Sequence, residues 1–289
     1  MKTCLAGLVL GFAAVTAPAT EPLPLPSMGS PQYDGEYKFE FALIPKAFQK
    51  NPRIEMTVFC ELTDYGRTLP EVTPQNPAYY IARDSGLQEF GLSVGGSHPP
   101  NAKYLEKVVQ RALSGNGYLP AGPGERRPTL VLFLSWGCYY SFDHEDRLKF
   151  PELALHHDLE RSLLVGGEKY TKDFSGQYTT GLPPLYRSQK QEFMDYQARN
   201  DLYFVVVSAY DHDALAHGQR RLVWRARMTA NTRGVAMDET LPPLVLTAGP
   251  YFGRDMKEPE AVTRPVRRGV VTLGPLEVVE QNVQTGAKP

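Results

Sequence analysis

Two stretches decide the fold: NAKYLEKVVQRALSGNG at 101–117 and TLVLFLSW at 129–136. In the first, Tyr104, Leu105, Val108, Val109, Ala112 and Leu113 recur at the period of an amphipathic helix, Asn101 stands where an N-cap belongs, and Gly115-Asn116-Gly117 ends the run. In the second, Leu130 to Leu134 are apolar without alternation, the pattern of a strand covered on both faces. Helix followed by core strand implies an α/β (α+β) fold: a twisted mixed β-sheet with helices mainly on one face.

Working outward, Tyr37, Phe39, Phe41 and Leu43 alternate with Lys38 and Glu40, and Ile54, Met56 and Val58 repeat the same two-residue period, so each set predicts a half-buried strand. Tyr79 to Ala82 predicts a further short one. Downstream, Asp201 to Tyr210 and Arg221 to Met228 form two apolar runs around a polar connector and read as a hairpin, with Trp136 and Trp224 as packing residues. Asp238 to Phe252 reads either as a closing helix with Pro242 and Pro243 in its first turn or, through Val245, Leu246 and Thr247, as a strand. Val270 to Val279 predicts an edge pair broken at Gly274-Pro275.

Residues 141–200 are more polar and read as an insertion. Pro151 opens a helical run with Leu153, Leu155, Leu159, Leu163 and Leu164 that stops at Gly166-Gly167, and Leu185 to Arg199 predicts a second helix with Phe193, Met194 and Tyr196 on its apolar face.

The chain begins with Lys2, an apolar run from Leu5 to Val15, and Ala17-Pro18-Ala19, the layout of a cleavable secretory signal over 1–19. The run is about half of the roughly 20 residues a membrane-spanning helix needs, so no transmembrane segment is expected. Cys4 precedes the apolar run and cannot become a lipid-modified N-terminus. Residues 20–33, with Pro22, Pro24, Pro26 and Pro31, read as an extended linker, and 34–289 as one domain. These features imply a periplasmic or secreted protein. Its charge balance, 31 Lys and Arg against 32 Asp and Glu, gives no field for nucleic acid.

The hairpin DLYFVVVSAYD at 201–211 with RLVWRARM at 221–228, and the helix ending in Asn116-Gly117-Tyr118 before the strand Leu130 to Leu134, resemble a bacterial cell-envelope lipoprotein family of unknown function. The resemblance covers about half of the mature chain and implies a small periplasmic α/β domain. It transfers no catalytic residue. The chain departs from that pattern in lacking a usable lipid-modified cysteine and in its long insertion.

Three groups of side chains are candidates for chemistry. His156, His157 and Asp158, with His144, and Asp211, His212 and Asp213, with His217, place imidazole beside carboxylate, the ligand mix of a divalent metal. Adjacent His156 and His157 point about 100° apart on a helix, so both cannot face one ion; Asp211 to Asp213 also suit a turn that bonds its own backbone. Tyr139, Tyr140, Tyr170 and Tyr178 are candidates for stacking on a partner, or for cover of the sheet. Cys60 and Cys138 can form a disulfide if their strands are neighbours and are otherwise small buried hydrophobes. Ser97 lacks a nucleophile-elbow context. The expected function is therefore a non-catalytic envelope protein without cofactor that binds a protein or glycan partner through the insertion and its tyrosines. The alternative is a metal-dependent hydrolase, which requires at least three of the His and Asp residues to converge.

Overall fold

The computed structural model describes residues 44–91, 98–122, 126–180, 187–266 and 268, the side chains of 177–180 excepted. The expected leader and Pro-rich linker, the strand expected from Tyr37, Ser97 and the pair expected at Val270 to Val279 lie outside the described residues. The elements in chain order are β1 (Arg53–Leu62), α1 (Asp64–Thr68), β2 (Ala78–Phe90), α2 (Ala102–Ser114), β3 (Tyr118–Pro120), β4 (Leu130–Tyr139) and α3 (His144–Lys149). There follow α4 (Pro151–Thr180), α5 (Gln189–Arg199), β5 (Leu202–Asp211), α6 (His212–Ala216), β6 (Leu222–Asn231), α7 (Met237–Ala248) and β7 (Glu260–Pro265).

All seven strands join one sheet in the order β3-β2-β4-β5-β6-β1-β7. β2 runs parallel to β3 and β4, and the remaining neighbours are antiparallel. The expected hairpin is β5 and β6, in register from Leu202 opposite Asn231. The expected helix is α2, whose Asn101 side chain accepts from the backbone N–H of Lys103 and Tyr104.

Strand alternation sorts the side chains between two cores. Met56, Val58 and Cys60 of β1, Leu132, Leu134 and Trp136 of β4, Val205 and Val207 of β5, and Ala226 and Met228 of β6 pack with Leu105 and Val108 of α2 and Leu241 and Leu244 of α7. On the opposite face, Tyr139, Leu202 and Phe204 meet Val165 and Phe174 of α4 and Met194 and Ala198 of α5. The mixed α/β sheet is thus as the sequence implies, with α2 and α7 as the cover on one face. Helices α4 and α5, within residues 141–200, supply a second cover on the other face.

Several boundaries differ from expectation for local reasons. β2 continues to Phe90 because it pairs with β4 along its length, through a bulge between Asp84 and Leu87. α5 starts at Gln189, where Ser188 caps the Gln191 N–H and the Gln191 side chain answers to the Ser188 N–H. Its apolar face is Phe193 and Met194, whereas Tyr196 is exposed. The segment at 238–252 is helical, and Pro242 and Pro243 fall in its second turn instead of its first. β7, with Glu260 and Arg264, carries little strand signal and forms by pairing with β1 at the sheet edge.

α4 breaks where the glycines predict and then resumes. Gly167 takes φ 72 and ψ −170, a backbone region nearly closed to other residues, and the chain continues helically to Thr180.

Cys60 and Cys138 are free, buried thiols, the small-hydrophobe alternative and not the disulfide. Their strands, β1 and β4, have β6 and β5 between them, so three strand spacings, about 14 Å, separate them. A bridge needs Cα atoms within about 7 Å.

Candidate functional site

The parallel strands β2 and β4 end side by side, at Phe90 and Tyr139, and β4 leads on into residues 141–200. The carboxyl ends of parallel strands are where open α/β sheets place their ligands. Here the exits are tightly joined: the Tyr140 N–H donates to the Phe90 carbonyl at 2.8 Å, and Phe90 stacks on Tyr139 with ring centroids 5.1 Å apart. Gly91 follows with φ 84, and a Cβ there would lie 2.6 Å from the Tyr140 carbonyl oxygen, so only glycine makes this close passage.

Over these exits lies an open depression of about 310 Å³ lined by Gly91, Phe142, Asp146, Phe150 and Leu153. Its wall is nearly all apolar, and two of its residues reach into solvent, Phe150 at 55% and Leu153 at 46% exposure. The helical period counts Leu153 as a core position. The structure leaves it outside because the buried face of α4 runs through Ala154, Asp158, Arg161, Ser162 and Val165.

A buried ionic cluster holds this segment in place. Arg147 donates from both terminal nitrogens to Asp158, at 2.9 and 2.8 Å. Arg161 donates to Asp158 as well, to the Ala198 carbonyl at 2.8 Å and to the Tyr140 carbonyl at 3.0 Å. Asp158 and Arg161 are fully buried. Removing one member of such a group leaves an uncompensated interior charge, at a cost of about 3–5 kcal/mol. Burial holds the Arg161 pKa below its usual range, opposed by the Asp158 charge. Nearby, Ser141 donates its N–H and hydroxyl to Asp201 at 2.6 and 2.7 Å, tying the exit of β4 to the start of β5.

The metal candidates do not come together. Asp158 is held by two arginines, His156 is exposed beside Glu160 at 3.3 Å, and His157 lies edge-on to Tyr139 and Phe142. His144 is exposed at the start of α3. Asp211 accepts from Tyr65 at 2.7 Å and caps α6 through the Ala214 N–H at 2.7 Å, which is the turn-forming role. His212 contacts Asp213 at 3.2 Å, and His217 meets the Asp213 carbonyl at 2.7 Å. The two clusters sit at opposite ends of β5, roughly 30 Å apart at strand rise. No group of three or more His, Cys, Asp or Glu among the described residues is arranged to hold an ion. The convergence that a metal-dependent hydrolase requires is therefore missing from these residues.

The tyrosines do not form a shared exposed patch. Tyr139 is buried and donates to Glu160; burial, with that bond, pushes its pKa well above the usual range. Tyr170 donates to buried Asp195 at 2.7 Å, and Tyr140 packs against the larger core. The Tyr178 side chain lies outside the described residues. As nucleophiles the thiols fare no better: burial pushes Cys60 and Cys138 up to about 12, which keeps both protonated and inert. What the sequence reading missed is the apolar depression. Its trace is the crowding of Phe142, Leu148, Phe150 and Leu153 among charges, too closely and irregularly spaced for one helical stripe to bury.

The arrangement defines an α/β scaffold with an apolar surface at the carboxyl ends of its parallel strands. No protein-family model matches the chain, and no curated protein matches it. Among solved structures, it is similar to a PelC variant dodecamer from Paraburkholderia phytofirmans at 10% identity and TM-score 0.30, over 67% of this chain and 93% of that one. A second PelC dodecamer from that organism gives 10% identity and TM-score 0.29, over 67% and 94%. A PDZ domain protein from Parabacteroides distasonis gives 10% identity and TM-score 0.34, over 75% of this chain and 40% of that one.

Proposed function

We propose that the mature chain is a binding protein of the bacterial cell envelope or its exterior, without catalysis of its own, and that it holds a protein partner on the insertion at Phe142, Leu148, Phe150 and Leu153. The observation that carries this reading is the exposure of Phe150 and Leu153 on the wall of an apolar depression shared with Phe142, with exposed Leu148 close in sequence, on a segment fixed by buried Asp158 and Arg161. Contiguous exposed apolar surface marks interaction sites, and a surface already rigid loses little entropy on docking. The cleavable leader expected over 1–19 supports the address. No helix among the described residues is long and apolar enough to cross a membrane.

The test is purification of the tagged mature protein from its own host's envelope, followed by native mass spectrometry. Wild type is expected to carry a protein partner that Phe150→Asp with Leu153→Asp loses, while its urea midpoint stays close to wild type. A variant that keeps the same partner would remove this surface from the reading.

A further inference from the structure

We infer that the partner segment received by this surface is cationic and amphipathic: apolar side chains for the depression, flanked by Lys or Arg. The inference rests on the docking reading above and adds the chemistry of the occupant. The stretch 142–153 that builds the depression carries Asp143, Glu145, Asp146 and Glu152 against Arg147 and Lys149. Arg147, 31% exposed, is engaged at two of its nitrogens by buried Asp158. Four carboxylates thus stand against two cations, one of which, Lys149, is 2.5 Å from Glu145. Asp143, Glu145 and Glu152 are exposed, and Asp146 itself lines the depression.

That excess of carboxylates makes this rim acidic although the chain as a whole is near neutral. Complementary charge at the edge of an apolar site steers encounter and rejects like-charged partners, while the apolar centre supplies affinity. An acidic rim around Phe142, Phe150 and Leu153 therefore selects a segment that buries two or three apolar side chains and presents cations beside them. It disfavours acidic segments and anionic lipid surfaces alike.

Two fluorescein-labelled 18-residue helical peptides with one leucine pattern, one with Lys and one with Glu on the polar face, test this against the mature chain by fluorescence anisotropy. The Lys peptide is expected to bind at least ten-fold more tightly, with affinity falling as salt rises. Phe150→Ala with Leu153→Ala, and separately Glu145→Gln, Asp146→Asn and Glu152→Gln together, should each weaken it at least ten-fold. Because these side chains are exposed or half-buried, both variants should keep the wild-type circular dichroism and melt. Equal binding of both peptides, lost in the Phe150 and Leu153 variant, overturns the cationic assignment and leaves the docking surface standing. Failure of the Lys peptide to bind, or binding indifferent to the Phe150 and Leu153 change, overturns both.

Discussion

His157 occupies a position where a proton costs stability. Its ring is edge-on to Tyr139 of β4 and to Phe142, with centroids 5.4 and 4.9 Å away, and its Nδ1 is buried without a hydrogen-bond partner. Desolvation holds its pKa below the ordinary imidazole value; Arg161 and His156 push the same way, and Glu160 and Asp158 oppose them. Since the folded state binds fewer protons than the unfolded one, stability is intact above the ordinary value near 6.5 and declines as pH falls from there toward the lowered folded value. His157→Phe removes this titration and keeps the aromatic contacts. In urea melts at pH 7 and pH 5, wild type is therefore expected to lose more stability than the variant on acidification, and equal losses would contradict the assignment. The same residue shows the limit of sequence at this scale. His156-His157-Asp158 has the composition of a metal site, but Arg147, eleven residues upstream, and Arg161 take the aspartate. The i, i+3 spacing of Asp158 and Arg161 was visible in the sequence; the bond from Arg147 across the α3–α4 break was not.

At the scale of elements, α4 depends on a single backbone exception. Gly167 turns the helix at φ 72 while sitting against β1, and a Cβ there would lie 2.4 Å from the Phe59 ring. Gly167→Ala therefore combines a backbone region that alanine avoids with a clash in the packed layer, and a loss of about 3 kcal/mol or more in urea denaturation is expected. Gly166→Ala is no neutral control, because its Cβ would meet the Tyr170 side chain at 2.5 Å; Gly176→Ala, with open space around it, is the better one. A Gly167 variant of wild-type stability would mean that the kink can be straightened. The glycine pair announced a stop, and the stop is real. That the helix resumes was illegible, because resumption depends on Phe174 finding Leu202 and Phe204 on the sheet. α2, β4 and the β5–β6 hairpin were legible for the opposite reason: their periods and caps are local.

In the whole molecule, Arg268 joins what sequence separates most widely. Its guanidinium donates to the carbonyls of Lys46, Ala47 and Gln49 at 2.7–3.0 Å, to the Gly234 carbonyl at 2.9 Å and to both oxygens of Glu239. Arg268→Ala is expected to lower stability by about 2 kcal/mol, and Arg268→Lys to recover only part of it, since an ammonium cannot reproduce the planar fork. A lysine variant as stable as wild type would show the fork to be dispensable. Nothing in the composition around Arg268 marks it out, just as nothing in Glu260 to Pro265 announces β7; both are decided by partners 200 residues away. β1 sits between β6 and β7. A chain that appears from its N-terminus thus holds its first strand of this sheet unpaired until almost the last has emerged, and pairings so distant in sequence close slowly. The strand order itself is thus a timer: the sheet cannot close until nearly the whole chain is present.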